Sequence, residues 1–319
     1  MGYAATQVIP DETRGRSPRA RFPQYADSFG WLAFPPSRTL PFKKTRGRTL
    51  LIHVFLPPRW KASDRRPAIV YLHGGSWVVG TPSQFFPQAF HFAQLGMVTA
   101  CPEYRLWGRD RATPFAGVRD SRSAIRWLRE NAANLGVDPT RVIVAGGSAG
   151  GHLAACASVI PEEQAPNEAE ARDCAPPAAM ILYNPVLDLR SQAWKATFTR
   201  ELFGPVSRVI WSAYDPVARQ LSPHSYLRPG LPPALIIHGE DDRVVPHIQS
   251  RRFTEDSSAA GNDCQLISYP HSGHAFHNYG FHPTNRPFHE CLRHVEDFLG
   301  ERGLLAEEPC PMLSVDESA

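Results

Sequence analysis

Seven short apolar runs punctuate the chain: Thr49 to Leu56, Ala68 to Leu72, Met97 to Cys101, Val142 to Ala145, Ala179 to Tyr183, Leu235 to His238 and Leu266 to Tyr269. Most are continuously apolar rather than alternating. That pattern belongs to strands covered on both faces, as in a parallel sheet. Between the runs, Val118, Ile125 and Leu128 recur at helical spacing near residues 117–131. Phe288, Leu292, Val295 and Leu299 do the same near 286–300. Such stripes predict amphipathic helices. Strands alternating with helices predict an α/β chain, with βαβ crossovers and a mostly parallel central sheet flanked by helices.

Two stretches break this rhythm. The first, Glu162 to Pro177, is polar and acidic. The second, Arg190 to Arg228, carries Trp194, Phe198, Phe203, Trp211 and Tyr214 between two strand candidates. It reads as a small cap-like insertion that roofs a pocket, or equally as a long crossover with buried aromatics. Proline pairs at 35–36, 57–58, 176–177 and 232–233 mark loops or the entries to elements. The resulting organisation is an N-terminal arm (1–40), one α/β domain (41–305, with 190–228 as the insertion) and a C-terminal tail (306–319).

Composition narrows the picture little. Of 319 residues, 42% are hydrophobic and 20% charged, the balance of an ordinary globular protein. The net charge is only +3 and no basic block stands out, which argues against a nucleic-acid partner. No apolar run is long enough to span a bilayer. The first twenty residues lack the apolar core of a signal peptide, so the expectation is a cytoplasmic protein or a secreted one already processed. The six cysteines, at 101, 156, 174, 264, 291 and 310, form no Cys-x-x-Cys pair and suggest neither a zinc nor a redox motif.

The candidate chemistry begins at Gly146-Gly-Ser148-Ala-Gly150, a G-x-S-x-G pentapeptide between the strand Arg141 to Ala145 and a helix-compatible run, His152 to Val159. A nucleophile elbow requires that strand–turn–helix setting. Alone, the pentapeptide also fits a glycine-rich turn with an idle serine. Three further features favour the nucleophile. His73-Gly-Gly-Ser-Trp77 directly follows the strand ending at Leu72. Its glycines are expected to aim backbone N–H groups at a substrate oxygen, with Gly74, Gly75 and Ala149 as oxyanion donors. His73 is expected to brace this loop. Next, Leu235-Ile-Ile-His-Gly-Glu-Asp-Asp242 runs from a strand into three acids. One of them would orient an imidazole, with Asp242 preferred over Asp241 and then Glu240. Last, Tyr269-Pro-His-Ser-Gly-His274 offers His274 as general base, with His271 and His277 as rivals. No carboxylate or cysteine completes a recognised metal spacing around these histidines, so no metal is expected.

The order Ser148, Asp242, His274 is that of α/β-hydrolases. With His73-Gly-Gly-Ser-Trp77, Tyr104-Arg-Leu106, Asp138-Pro-Thr-Arg141, Gly147-Ser-Ala-Gly-Gly151, Asn184-Pro185, His238-Gly-x-x-Asp242-x-Val-Val-Pro246 and Gly273-His274, the chain resembles esterases related to hormone-sensitive lipase. Its pattern is nearest to the acetyl xylan and feruloyl esterase-like branch. The resemblance runs from about Leu50 to Leu299. It implies an α/β-hydrolase fold and a cofactor-free carboxylesterase acting on short acyl groups of a small-molecule or carbohydrate ester. It also settles the acid on Asp242. Ser76-Trp77 stands where many relatives continue with glycine, a form similar to that of kynurenine formamidases and of feruloyl-esterase-like proteins. A formamidase or amidase with the same triad is therefore the rival reading, and a catalytically inactive binding protein on this fold ranks below it. Trp77, Trp194 and Trp211 are candidate pocket residues. Oligomeric state is not readable from the sequence.

Overall fold

The structure, a computed structural model, describes residues 7–8, 33–161, 175–191 and 214–306. Its strands are β1 (Gln7–Val8), β2 (Arg38–Lys44), β3 (Thr49–Phe55), β4 (Arg66–Leu72), β5 (Val98–Pro102), β6 (Val137–Gly147), β7 (Met180–Tyr183), β8 (Ala234–Gly239) and β9 (Cys264–Tyr269). The main helices are α1 (Phe86–Gln94), α2 (Pro114–Glu130), α3 (Ala149–Val159), α4 (Ile248–Ala259) and α5 (Arg286–Glu301). Among the described residues the strands form one sheet in the order β1-β9-β8-β7-β6-β4-β5-β3-β2. Pairing is parallel from β1 to β5 and antiparallel for β5–β3 and β3–β2. This is the α/β-hydrolase fold.

The seven apolar runs are strands β3 to β9. Their lack of alternation follows from the layering. In β4, Ala68, Val70 and Leu72 enter one core while Ile69 and Tyr71 enter the other. β6 divides likewise into Val142 and Val144 against Ile143 and Ala145. Successive side chains point to opposite faces, and both faces are covered, so apolar residues dominate successive positions instead of alternating with polar ones. Helices α2, α3 and α4 cover the first face, and α1 and α5 cover the second. Each large aliphatic side chain buried this way stabilises the fold by about 1.5–3 kcal/mol. All eleven residues of α3 are buried, so the helix behind the candidate nucleophile has no solvent face.

The sheet begins earlier than the sequence suggested. β2 starts at Arg38, inside the segment read as an arm, and pairs with β3 at the sheet edge. It carries Pro41, and the register shifts between Pro41 and Lys43. A strand edge tolerates proline there because no neighbour needs its missing N–H. β1 adds a short parallel pairing at the opposite edge. Most of the 190–228 insertion, and all of the 306–319 tail but Ala306, lie outside the described residues.

Register places the site. Leu72 of β4 pairs with Gly146, Gly147 with Tyr183, Tyr183 with Ile237, and Gly239 with Tyr269. The carboxyl ends of β4, β6, β7, β8 and β9 are therefore level, and the loops leaving them converge. Open parallel sheets place their ligand sites at this edge.

Candidate active site

Ser148 occupies the turn between β6 and α3 at φ 55°, ψ −119°. Positive φ is unusual for serine and marks strain that the surroundings must hold in place. The chain there is tightly confined. A Cβ on Gly150 would come within 2.0 Å of the Leu72 carbonyl oxygen, so glycine is required. The Ser148 N–H donates to the Tyr183 carbonyl at 2.8 Å, tying the elbow to the neighbouring strand. The result leaves the hydroxyl projecting above the sheet edge, with the N-terminal end of α3 behind it.

Three strand ends bring the candidate triad together. Ser148 Oγ lies 2.9 Å from His274 Nε2, and His274 Nδ1 lies 2.7 Å from Asp242 Oδ2. Nδ1–H donates to the carboxylate, which leaves Nε2 as the acceptor facing the hydroxyl. Asp242 is buried and its other oxygen accepts the Val244 and Val245 N–H groups at 2.8 and 2.9 Å. Burial pushes its carboxyl up, but the positive charge of a protonated His274 and the hydrogen bonds from His238 and His274 outweigh that. The net result holds Asp242 well below the usual carboxylate range.

His238, at the end of β8, opens the His238-Gly-x-x-Asp242 motif, but the sequence assigns it no role of its own. Its Nε2–H points at the Val245 carbonyl (2.9 Å) and at Asp242 Oδ2 (3.2 Å), and its Nδ1 pairs with Ser250 Oγ at 2.7 Å. Two imidazoles thus share one oxygen of Asp242. Its sequence signals are its place at the head of that motif and the spacing of four between His238 and Asp242.

The rivals fall elsewhere. Glu240 and Asp241 are exposed. His271 is also exposed and faces Asp241 at 3.8 Å. His277 is buried, with its ring stacked on Tyr183 at 4.7 Å. Burial holds its imidazole down to about 3, so it stays neutral.

The loop after β4 lies against the elbow: a Cβ on Gly74 would sit 3.4 Å from Ser148 Cβ. Gly75 has φ 116°, and any side chain there would strike the Val79 carbonyl at 2.0 Å. The Val78 and Val79 N–H groups close the loop onto the Gly75 carbonyl, both at 3.0 Å. The Gly74 N–H, expected as an oxyanion donor, instead donates to Gln84 Oε1 at 2.6 Å. Gly75 sits at the bend of the loop, and Ala149 is the first residue of α3. His73 is buried, bonds the Gly74 carbonyl at 2.7 Å, and stacks on Tyr104 at 4.2 Å. Burial lowers it to about 4, so it braces the loop as a neutral ring.

Trp77 is only 4% exposed. Its indole N–H donates to His152 Nδ1 at 3.1 Å, and its ring packs on Tyr214 at 4.9 Å. His152 in turn donates to the Leu221 carbonyl at 2.7 Å. The tryptophan thus ties the loop after β4 to α3 and to the described part of the insertion, rather than standing open as a pocket wall. Trp194 and Trp211 lie outside the described residues. Among the described residues, no group of His, Cys, Asp and Glu is arranged to hold a metal, and no helix is long and apolar enough to cross a membrane. Cys101, Cys156, Cys264 and Cys291 are buried free thiols.

Known proteins similar to this chain include several esterases. A family model described as BD-FAE matches residues 52–256. Esterase LipQ of Mycobacterium tuberculosis is 32% identical over 261 residues, covering 80% of this chain and 60% of LipQ. This chain therefore spans less than two thirds of LipQ's length. Carboxylesterase NlhH of the same organism is 29% identical, with coverages of 72% and 71%. The structure of Thermogutta terrifontis Est2 with propionate bound matches with a TM-score of 0.75 at 37% identity, covering 86% of this chain and 97% of that one. The same esterase phosphorylated by paraoxon matches at 0.74 and 37%, with coverages of 86% and 97%.

Proposed function

We propose, from the premise that the chain belongs to the BD-FAE family, that it is a serine carboxylesterase cleaving short-chain acyl esters through an acyl-enzyme on Ser148. The observation that carries this reading is the unbroken line from Ser148 Oγ to His274 to Asp242, with links of 2.9 and 2.7 Å. The reading is supported by the esterases among its relatives. Reaction of Thermogutta esterase 2 with paraoxon is the behaviour of an activated nucleophile.

In the first half-reaction His274 Nε2 takes the proton from Ser148 as Oγ bonds to the ester carbonyl carbon. The carbonyl oxygen becomes an anion held by the Gly75 and Ala149 N–H groups. Such donors act at full strength because they are fixed before the charge develops. The protonated His274 then gives its proton to the departing alkoxide, the carbon–oxygen bond breaks, and the alcohol leaves. In the second half-reaction His274 takes a proton from water, the water oxygen attacks the acyl carbon, and the acid departs as Ser148 recovers its proton. Asp242 keeps Nδ1 protonated throughout and stabilises the imidazolium. The cycle uses no cofactor.

Short acyl groups are proposed because the matching Est2 structures hold propionate and butyrate. Acetyl groups on carbohydrates are the esters proposed within that class, with the larger aromatic feruloyl group as the alternative acyl. The test pairs a fluorophosphonate probe with a p-nitrophenyl ester series from acetate to decanoate. Wild-type protein is expected to label and to prefer two to four carbons. Ser148→Ala is expected to lose labelling and on the order of 10⁴-fold or more in kcat. Full activity in that variant would refute the reading. A preference for N-formylkynurenine over acetyl esters would replace it with the formamidase.

A further inference from the structure

Amide side chains that the proposed chemistry does not use join the oxyanion loop to the turn carrying the base. Gln84 lies in the helical turn Pro82–Phe85, which leads into α1. Its Oε1 accepts the Gly74 N–H at 2.6 Å, and its Nε2 donates to Asn278 Oδ1 at 3.2 Å. Asn278 is 3% exposed. Its backbone N–H and Nδ2 both donate to the Ala275 carbonyl, at 3.0 and 3.1 Å. Ala275 directly follows His274 and has φ 66°. One helical turn beyond Gln84, the buried Gln88 donates from Nε2 to the His277 carbonyl at 3.3 Å. Two glutamines four residues apart thus clasp the base turn from the element into which the oxyanion loop runs.

The relay has one polarity. It starts at a backbone N–H, which can only donate, and ends at a backbone carbonyl, which can only accept. Both amides are therefore oriented without ambiguity. The tether sits where the backbone needs it. Gly74-Gly75 has the widest conformational freedom of any dipeptide, and no side chain of its own restrains it.

We propose that Gln84 is a positioning residue for the oxyanion hole. It holds the Gly74 peptide still, so that the next N–H, on Gly75, meets the developing anion together with that of Ala149. Through Asn278 it fixes this loop against the turn that aims His274. Gly74 N–H is then a strut, and the hole has two donors. The inference rests on the proposed chemistry at Ser148.

The test is Gln84→Met, which keeps the length and removes both hydrogen bonds. Its kcat on p-nitrophenyl acetate is expected to fall about tenfold to a hundredfold, with KM changed less than threefold. Affinity for a trifluoromethyl ketone, whose adduct carries the anionic oxygen, is expected to fall in parallel. Asn278→Ala should share part of this loss, and the double variant should be no worse than Gln84→Met. If Gln84→Met does not fold, Gln84→Asn withdraws the carbonyl by one methylene and is expected to show the same pattern. A kcat within twofold of wild type overturns the proposal. So does a rise in kcat, which would mean that freeing Gly74 adds a third donor. So does a lower melting temperature with ketone affinity unchanged. If Ser148→Ala is inactive while Gln84→Met is normal, only the clasp fails; if Ser148→Ala keeps its activity, the esterase reading fails first.

Discussion

At the scale of single residues, the buried carboxylate of Asp242 is held from four directions. It accepts two backbone N–H groups and two imidazoles. His274 needs that carboxylate, and His238 steadies it from the other side. Replacing His238 with Phe would leave the Val245 carbonyl and Ser250 hydroxyl without their buried partner, and each orphaned group costs about 1–3 kcal/mol. His238→Phe is expected to melt earlier and to lose about tenfold in kcat/KM on a short p-nitrophenyl ester. His238→Gln, which can still donate to the carboxylate, should recover part of both. Steady-state kinetics alongside thermal melts check this. The sequence made Ser148, Asp242 and His274 legible because each stands just beyond a strand, where local pattern points. His238 and Gln84 were not legible. Their roles depend on partners that no spacing code announces, Asn278 being 194 positions from Gln84. Trp77 looked like a pocket residue because sequence shows an aromatic beside a glycine loop but not the His152 and Tyr214 that cover it.

At the scale of elements, periodicity found the strands of the core and two of the flanking helices. The missed elements share a weak signal. α4 (IQSRRFTEDSSA) has no apolar stripe, because it packs through Phe253 and the small polar side chains of Ser250, Thr254 and Ser257. α1 opens with proline in its first turn and mixes buried Gln88 with aromatics. β2 alternates, contains Pro41, and is half exposed. The elbow, by contrast, is legible because its glycines answer to backbone contact. Gly150→Ala forces a Cβ into the Leu72 carbonyl, and neither β4 nor α3 has room to retreat. This variant is expected to lose esterase activity and to lower the melting temperature, or to fail to accumulate as folded protein. A Gly150→Ala protein with wild-type activity and melting would show that the contact relaxes at little cost.

At the scale of the whole molecule, several histidines are folded away in neutral form. Burial holds His73 and His152 down to about 4 and His277 down to about 3. In the unfolded chain such groups titrate near 6.5. Between about pH 6.5 and 4 the unfolded chain binds protons that the native state refuses, so stability falls as pH drops through that window and levels off above it. Asp242 acts lower down. Its depressed value stabilises the native state above about pH 3.9, and that contribution is lost only as pH falls further. The melting temperature is therefore expected to fall steadily between pH 7 and 5, with a shallower slope in His277→Phe. A flat profile over that range would contradict the burial of these rings as neutral species.

The strand order also bears on how the molecule comes into being. Ser148 follows the fifth strand of the order β2 to β9, whereas its base lies 126 residues further along the chain, after the last. A nascent chain that ends short of β8 holds Ser148 but neither Asp242 nor His274. On the proposed chemistry the Ser148 hydroxyl stays an ordinary alcohol until β8 and β9 pair beside β7 and bring Asp242 and His274 to it. On that chemistry the serine therefore depends on the C-terminal strands of the sheet, and a half-made chain would leave the esters around it intact.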